Sequence, residues 1–214
     1  MAISVSLPPT ETDAGARLRI LHRARAHFFA HGYLAFTMDD LAAELGMSKK
    51  TLYVHFSGKD EIIGAVLRNL GDETRADAEA ILRNRSLNFA EKLRGFVEGM
   101  MQRLAALDPR TLRELQRHAP VLFARVDEMR RKNVPFIFGQ LIEEGQAGGY
   151  VRADLPVTFA IEFFLNAMQG ILQGPVLEQM RLAPSQAIAR GIDVFFGGLL
   201  TPAGCKQYEK LFPR

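Results

Sequence analysis

The side chains best suited to binding chemistry cluster between residues 37 and 59 of this 214-residue chain. Lysine can reach phosphates or guanine edges, threonine offers a hydroxyl or a methyl contact, and tyrosine and histidine can bind phosphate oxygens. A hydroxyl and an amide at a helix N-terminus add further phosphate donors. The residues that combine these properties are Thr37, Lys49, Lys50, Thr51, Tyr53, His55 and Lys59. Their chemistry indicates a surface for duplex DNA.

The spacing of capping and turn residues predicts two short helices that cross through a glycine turn. Thr37 and Asp40 form a capping-box pattern for the first helix, and Ser48 is a good N-cap for the second. Gly46 can adopt the positive φ of the tight turn between them. The residues expected to pack the pair together are Leu41, Leu45, Met47, Leu52 and Phe56. This arrangement is typical of a helix-turn-helix.

The charge of the chain does not decide between DNA binding and a plain pair of helices. The formal net charge is +3, which is only mildly basic. Residues 1–60 hold seven basic and six acidic side chains, so a basic surface must come from Lys49, Lys50 and Lys59 lying on one side. Helix pairs with solvated lysines also occur in proteins that never bind DNA, and spacing alone leaves that alternative open.

Apolar residues recur three or four positions apart along most of the chain, which predicts an all-α fold. About nine helices are expected, over 14–31, 38–45, 48–56, 59 to beyond 82, 88–107, a short segment ending at 118, 121–146, 155–172 and 184–200. Pro135 should kink or split its helix. Ser57 with Asp60, and Asp154, are expected to cap helix starts, and the first dozen residues are expected to be disordered.

Two domains are expected from this order of helices. Residues 14–60 should form a three-helix DNA-binding domain that contains the helix-turn-helix. Residues 61–204 should form a larger helical bundle for effector binding and dimerisation. The helix that starts near Lys59 should join the two without a flexible hinge.

Large, soft side chains in the C-terminal bundle suggest an effector site. Stripes of Phe and Met are usually plain core, yet a bundle lined by them with a few polar groups also makes an apolar ligand pocket. A lone histidine such as His118 is more often not a ligand contact. The candidate pocket residues for a small hydrophobic or aromatic effector are Phe96, Met100, Met101, Leu104, His118, Phe123, Asn133, Phe136, Phe163 and Asn166.

The last two long predicted helices carry more apolar residues than a small edge could hide. These residues are Phe159, Phe163, Ile171, Ile192, Phe195, Phe196 and Leu199, with Gly170, Gly191 and Gly198 allowing close approach of helix backbones. A four-helix bundle made from two copies of this pair would bury them, which predicts a homodimer. The alternative is that they complete the core of the monomer.

The sequence lacks the motifs of enzymes, metal sites and membrane spans. It holds no GxGxxG, Walker loop, HExxH, nucleophile elbow or CxxC, and Cys205 is the only cysteine. We therefore expect no catalytic residues, no cofactor and no metal. No apolar stretch approaches the roughly 18 residues that span a bilayer, and no signal-peptide pattern is present, so we expect a cytoplasmic protein without a membrane partner. An enzyme, or a helical ligand-binding protein without DNA activity, remains the alternative class.

A resemblance to a known family favours the DNA-binding interpretation. Residues 18–67 resemble the N-terminal domain of the tetracycline-repressor (TetR) family, in Phe28, Gly32 and the runs FTMDDLA (36–42), LGMSK (45–49), TLY (51–53), HF (55–56) and KDE (59–61). The resemblance implies a helical homodimer with a C-terminal ligand-sensing domain, usually a repressor. It implies base contacts from Lys49, Lys50 and Thr51, and phosphate contacts from Thr37, Ser48, Tyr53, His55 and Lys59. A weaker likeness to the AefR-like C-terminal type covers residues 115–172.

Overall fold

Helices make up nearly all of the fold. The computed structural model describes residues 11–105 and 110–211. The helices in these ranges are α1 (Glu11–His31), α2 (Met38–Leu45), α3 (Lys49–His55), α4 (Lys59–Arg83), α5 (Phe89–Ala105), α6 (Thr111–His118), α7 (Pro120–Ala147), α8 (Val157–Ile171), α9 (Gly174–Met180), α10 (Pro184–Leu199) and α11 (Pro202–Leu211). The described residues form no β-sheet, and one isolated antiparallel bridge joins Val151 to Leu200. The predicted all-α fold is confirmed.

The described residues contain eleven helices where we expected about nine. Helix α9 has only seven residues and ends at Arg181, whose φ of 52° is left-handed. Helix α11 begins at Pro202, and the Thr201 hydroxyl accepts the Gly204 N–H at its start. Helix α9 has a proline in its first turn, and α11 begins at one. Proline is compatible with a first helical turn, which explains why these positions start helices instead of ending them.

Several expected helix ends need correction. Helix α8 begins at Val157 after Pro156, and Asp154 forms an ion pair with Arg152 at 2.7 Å instead of capping α8. Helix α1 already begins at residue 11, so the disorder expected for residues 11 and 12 is wrong, whereas residues 1–10 lie outside the described residues. The stop expected at residues 108–109 also lies outside them. Helix α7 is assigned as one helix with Pro135 inside, so the proline does not split it.

The buried face of α1 differs from the one expected at its start. The three- or four-residue spacing of apolar residues predicts a buried stripe on α1 made of Ala14, Leu18, Leu21, Ala24 and Phe28. Ala24 and Phe28 are buried as expected, whereas Ala14 and Leu18 are exposed, Leu18 to 65%. Ile20 is buried in addition, so Ile20, Ala24 and Phe28 follow one another in steps of four residues. This spacing places them on one helical face, which lies against α4 and α2.

One hydrophobic cluster joins the N-terminal helices to α6 and α7. Phe28 and Phe36 are buried in it beside Leu52 and Phe56 of the helix-turn-helix. Its further members include Leu115, Ala119 and Leu122, which belong to α6, the α6–α7 junction and α7. The predicted division at residues 60 and 61 stays a prediction, and this cluster extends across it. The N-terminal helices therefore depend on the C-terminal bundle for part of their core.

A second cluster fills the C-terminal bundle. Phe138 lies near its centre, with ring centroids of Phe96, Phe164, Phe195 and Phe196 between 4.9 and 6.2 Å away. The residues of this cluster that we had expected at a dimer surface are Ile192, Phe195, Phe196 and Leu199. That expectation is wrong for these four, because the inner face of α10 packs on α5 and α8 of the same chain.

The helices in the described ranges give no candidate for a membrane span, since none is both long and apolar enough.

Phe138→Ala should lower the free energy of unfolding by about 3–5 kcal/mol, because it removes a buried ring and leaves a cavity. Urea unfolding at one fixed protein concentration measures the change. The matched control is Val121→Ala on the same helix, where the side chain is 69% exposed and the change should stay within about 0.5 kcal/mol. Equal effects of the two substitutions would contradict the central position of Phe138 in the core.

Candidate nucleic-acid interface and effector cavity

The helix-turn-helix is fixed by the caps and the turn that the sequence indicated. The Asp40 N–H donates to Thr37 Oγ1 at 3.1 Å, and the Thr51 N–H donates to Ser48 Oγ at 3.0 Å. Gly46 has a φ of 64°, in the left-handed region that favours glycine. Leu52 of α3 is fully buried against the first core cluster. The second helix is therefore held at both its start and its inner face.

The outer face of α3 is exposed and polar. Lys50 and Thr51 are exposed, and Tyr53 is exposed to 46%. Val54 is exposed to 75% on the same helix, although the sequence analysis did not select it. An exposed valine can contact a thymine methyl group in the major groove. This face thus offers cationic, hydroxyl and apolar groups to a duplex.

Lys49 is less available than Lys50. Its ammonium lies 2.8 Å from Asp39 Oδ1, and this hydrogen-bonded carboxylate raises the pKa of Lys49. The contact joins the start of α3 to the start of α2. A phosphate that binds Lys49 must therefore compete with Asp39, whereas Lys50 has no ion pair within residues 11–105 and 110–211.

His55 and Lys59 point toward other parts of the protein. The His55 side chain is only 10% exposed, and its Nδ1 lies 2.9 Å from Asp13 Oδ1. Lys59 Nζ donates to the Tyr33 carbonyl at 3.3 Å and lies 4.0 Å from the centre of the Tyr33 ring. The Thr37 hydroxyl likewise donates to Asp40 Oδ2 at 2.6 Å. These three candidates hold the interface together in the structure.

Side chains of helix α1 contact both ends of the helix-turn-helix. Glu44 of α2 accepts from Arg23 Nε at 2.6 Å and lies 2.9 Å from His27 Nδ1. The hydrogen bond from His27, followed by that from Arg23, lowers the pKa of Glu44 despite some burial. At the other end, Arg17 donates to the His55 carbonyl and its guanidinium lies 3.9 Å from the centre of the Phe56 ring. The sequence gives no signal for these α1 contacts, because the residues that they join are distant in the chain.

The Ser57–Asp60 cap expected at the start of α4 is wrong, because the N-cap residue is Gly58 and Ser57 binds Glu61 instead of Asp60. The Ser57 N–H and hydroxyl both donate to Glu61 Oε2, at 2.7 and 2.9 Å. Asp60 instead accepts the Tyr33 hydroxyl at 2.8 Å. Burial and this hydrogen bond raise the pKa of Tyr33 to about 12. Each acidic residue thus ties the α3–α4 junction to a different neighbour.

Comparison with known proteins agrees with this geometry. Residues 20–66 match the family model described as bacterial regulatory proteins, tetR family. The HTH-type transcriptional regulator YvaF of Bacillus subtilis is 26% identical over 165 residues, which cover 77% of this chain and 86% of that protein. The HTH-type transcriptional repressor KstR2 of Mycolicibacterium smegmatis is 28% identical over 163 residues, 70% of this chain and 74% of that protein. The family match therefore covers most of α1, all of α2 and α3, and the start of α4.

A solved structure extends the likeness to the whole fold. The regulatory protein TetR from Rhodobacter sphaeroides superposes with a TM-score of 0.65 at 19% identity, over 86% of this chain and 98% of that one. The curated relatives are named HTH-type transcriptional regulators or repressors, and the likeness to this solved structure shows the fold. The AefR-like character of residues 115–172 stays a prediction.

The C-terminal part of the chain contains a cavity of about 600 Å³, lined mainly by side chains of α4 to α8. Such a volume lies in the range of small-molecule sites. Of the expected pocket residues, Phe96, Met100, Phe123 and Asn133 line this cavity. Thr111 and Arg130 also line it, although the sequence analysis did not select them.

The other expected pocket residues whose side chains the structure describes do not line this cavity. His118 and Asn166 are exposed, and Phe163 is exposed to 53%. Phe136 lies under the Arg75 guanidinium, 3.7 Å from its ring centre, and Met101 packs against the second core cluster. The side chain of Leu104 lies outside those that the structure describes. The sequence placed these residues on the correct helices, but only packing decides which face of a helix meets the cavity.

Two contacts connect the walls of this cavity to the DNA-binding helices. Asn133 Nδ2 donates to the Gly71 carbonyl of α4 at 2.9 Å. Glu114 of α6 accepts the backbone N–H of Leu34, in the α1–α2 loop, at 2.9 Å. Thr111 and Leu115 of the same short helix line the cavity. A ligand that moves α6 or α7 therefore acts directly on α4 and on the loop before the helix-turn-helix.

Glu61→Ala should destabilise the protein by about 1 kcal/mol at pH 7, the usual net size of a hydrogen bond, because it removes the acceptor of the Ser57 N–H and hydroxyl. Hydrogen bonds from Ser57, followed by Arg17, lower the pKa of Glu61 below its ordinary value of 4.5. A lowered pKa in the folded state means that the stabilisation is complete above pH 4.5 and is lost as the pH falls through the lowered value.

Urea unfolding of wild type and variant between pH 7 and pH 3.5 tests this expectation. The difference in unfolding free energy should shrink as the pH falls below about 4.5. Glu61→Gln is the control: it also lacks the ionisable group, so its deficit should shrink with falling pH as that of Glu61→Ala does, but it should be smaller at every pH because an acceptor oxygen is kept. A Glu61→Ala effect that is constant over this range would contradict a role for the ionised carboxylate.

Proposed function

We propose that this regulator is a repressor that binds a palindromic operator as a homodimer and is released by a small, mostly apolar effector. The observation that carries the proposal is the exposed face of α3, where Lys50, Thr51 and Tyr53 lie on a helix that caps and core contacts hold rigidly. Repression is typical of the family, and the name of the KstR2 relative also states it. Because its proposed target is chromosomal DNA, we propose that it acts in the cytoplasm.

Within the proposed complex, the candidate residues differ in whether their side chains are free to reach DNA or already have partners in the protein. Lys50 and Thr51 are the best placed to read base edges, and Tyr53 to bind a backbone phosphate. Thr37 and Ser48 lie at helix N-termini, where backbone amides favour a phosphate even though both side chains are engaged in capping. Lys49, His55 and Lys59 would contribute only after exchanging their present partners.

The outer faces of α8 and α10 support the proposed dimer. Phe159 and Phe163 of α8 are exposed to 58% and 53%, and Val194 of α10 to 73%. Their neighbours on these helices include Gly170 and Gly198, where an added Cβ would meet no atom within 4 Å. Large exposed apolar side chains beside open backbone suit the packing of a second copy.

A dimer of this kind sets the geometry of the operator. Two recognition helices would enter successive major grooves about 34 Å apart, so the operator should be a near-palindrome. An effector that prefers a different separation of these helices needs only about 1–3 kcal/mol of coupling to change DNA affinity 5- to 150-fold. The cavity and its contacts to Gly71 and Leu34 provide a physical route for that coupling.

The double substitution Lys50→Ala, Tyr53→Ala should reduce operator affinity by about 10- to 100-fold, because it removes one cationic and one hydroxyl contact. Fluorescence anisotropy with the DNA upstream of the protein's own gene, at two salt concentrations, measures the affinity and its salt dependence. Lys206→Ala is the matched control, an exposed lysine of α11, and should bind as wild type does.

Failure to bind that DNA would be followed by selection from random duplexes. If that selection recovers no sequence, a helical ligand-binding protein without DNA activity becomes the better interpretation. If an operator is found, a reporter gene carrying it should be less active with the protein present than without it. Higher activity would contradict repression.

Phe159→Glu combined with Phe163→Glu should convert the dimer to a monomer, because it places charges on the proposed interface. Sedimentation velocity at micromolar concentration measures the mass, and operator affinity should fall in parallel. Val121→Glu is the control, since it introduces the same charge at a side chain 69% exposed on α7. A wild-type protein that sediments as a monomer would contradict both the interface and the two-half-site operator.

A further inference from the structure

The charged residues in the cavity wall are not equally neutralised. Asp77, Arg103, Asp127 and Arg130 all line the cavity. Arg103 forms an ion pair with Asp77 and also donates to the Gly99 carbonyl at 3.1 Å. This pair has no net charge, and its two members satisfy each other.

Asp127 and Arg130 form a different kind of cluster. The closer partner of Asp127 is Arg131, whose Nε lies 2.9 Å from Oδ2, whereas Arg130 Nη1 lies 3.7 Å from Oδ1. Arg131 does not line the cavity and is the more exposed arginine of the two. One carboxylate is thus shared by two guanidinium groups, and Arg131 also lies in the field of Glu162. Arg130, at the cavity wall, has only the longer contact to Asp127.

Arg130 keeps donors for a further partner. A guanidinium group has five N–H donors. In the described part of the chain, the hydrogen bond of Arg130 is the one from Nη2 to the Leu165 carbonyl, at 3.2 Å. Burial is the main cause of its lowered pKa, which indicates that water solvates this cation poorly. An anion beside Arg130 would accept hydrogen bonds from the guanidinium in place of the missing water molecules.

Thr111 is a second unsatisfied polar group in the same wall. Its side chain is completely buried, and Oγ1 has no hydrogen-bond partner within residues 11–105 and 110–211. A purely hydrocarbon ligand would leave Thr111 Oγ1 without a partner and would not engage the remaining N–H donors of Arg130. Leaving buried polar groups unpaired costs free energy, so the cavity favours a ligand that carries oxygen atoms.

We propose that the effector is an amphiphilic carboxylic acid, with its carboxylate on Arg130 and its apolar part against the Phe, Met, Leu and Ile side chains of the cavity. This inference rests on the proposed effector site and specifies its ligand class. A carboxylate matches the planar donor fork of a guanidinium, and the apolar walls select a long or aromatic body. A ligand with a cationic head would be repelled by the Arg130 guanidinium and could not accept its hydrogen bonds.

Three probes with one apolar chain and different head groups test the proposal. Isothermal titration calorimetry at pH 7.5 would compare dodecanoate, 1-dodecanol and dodecylamine, each below its aggregation concentration, with the full-length protein. Dodecanoate should bind at least about tenfold more tightly than dodecanol, because of its charge-assisted hydrogen bonds, and dodecylamine should bind most weakly. Dodecanoate should also weaken operator binding.

Variants at two neighbouring positions identify the residue responsible. Arg130→Gln should remove the preference for dodecanoate while dodecanol still binds, and Arg130→Lys should restore part of it. Lys132→Gln is the matched control, an exposed lysine two residues away that pairs with Glu128, and should keep the full preference. Unchanged circular dichroism and melting temperature in the absence of ligand would show that each variant folds.

The outcomes separate this inference from the proposed function. If dodecanoate and dodecanol bind equally, or if Arg130→Gln keeps the preference, the carboxylate assignment is wrong while an apolar effector site remains. If none of the three probes binds, the carboxylate assignment again fails, and the apolar effector site of the proposed function loses its support as well.

Discussion

The close contact between α4 and α7 is the constraint on which the rest of the structure depends. Of all helix pairs in the described residues, these two pack together most extensively. At Gly71 an added Cβ would lie 2.7 Å from Met129 Cγ and Sδ, so only glycine permits this approach without movement of Met129. One turn further along α7, Asn133 donates to the carbonyl of the same glycine. Backbone of α4 and side chains of α7 therefore meet directly.

This contact makes the cavity and the DNA-binding helices parts of one packed body. Helix α4 continues from the helix-turn-helix to the cavity wall, and the first core cluster includes side chains of α6 and α7. Since packed cores resist continuous deformation, a ligand that displaces α7 must shift α4 or break the contact. Glu114 adds a second link, from α6 to the loop at Leu34. Both links begin at helices that line the cavity.

The nucleic-acid interface uses few free cations. Lys49 is paired with Asp39, His55 with Asp13, and Lys59 with the Tyr33 carbonyl. These contacts fix the orientation of α3 before DNA arrives, so less conformational freedom is lost on binding. They also reduce the number of phosphates that can be neutralised without breaking a contact, which limits the salt dependence of binding. The same contacts therefore fix the orientation of α3 and weaken its electrostatic attraction to DNA phosphates.

Local chemistry determined what could be predicted from the sequence. Caps and turns depend on residues only a few positions apart, so Thr37, Gly46 and Ser48 predicted the helix-turn-helix correctly. Helical periodicity likewise gave the all-α class and most helix ranges. The α9 and α11 helices were missed because each is short and begins at or next to a proline that suggested a break.

Only the tertiary structure decided which side chains are available for binding. His55 and Lys59 are engaged by residues 42 and 26 positions away, and no local pattern shows such partners. Phe195 and Phe196 lie in the monomer core while Phe159 remains exposed, because one face of α10 packs on its own chain. Arg130 became a candidate ligand contact only through the distances that separate it from Asp127 and Leu165. The sequence determines which groups exist and how the chain coils locally, whereas long-range packing determines which of them remain unsatisfied.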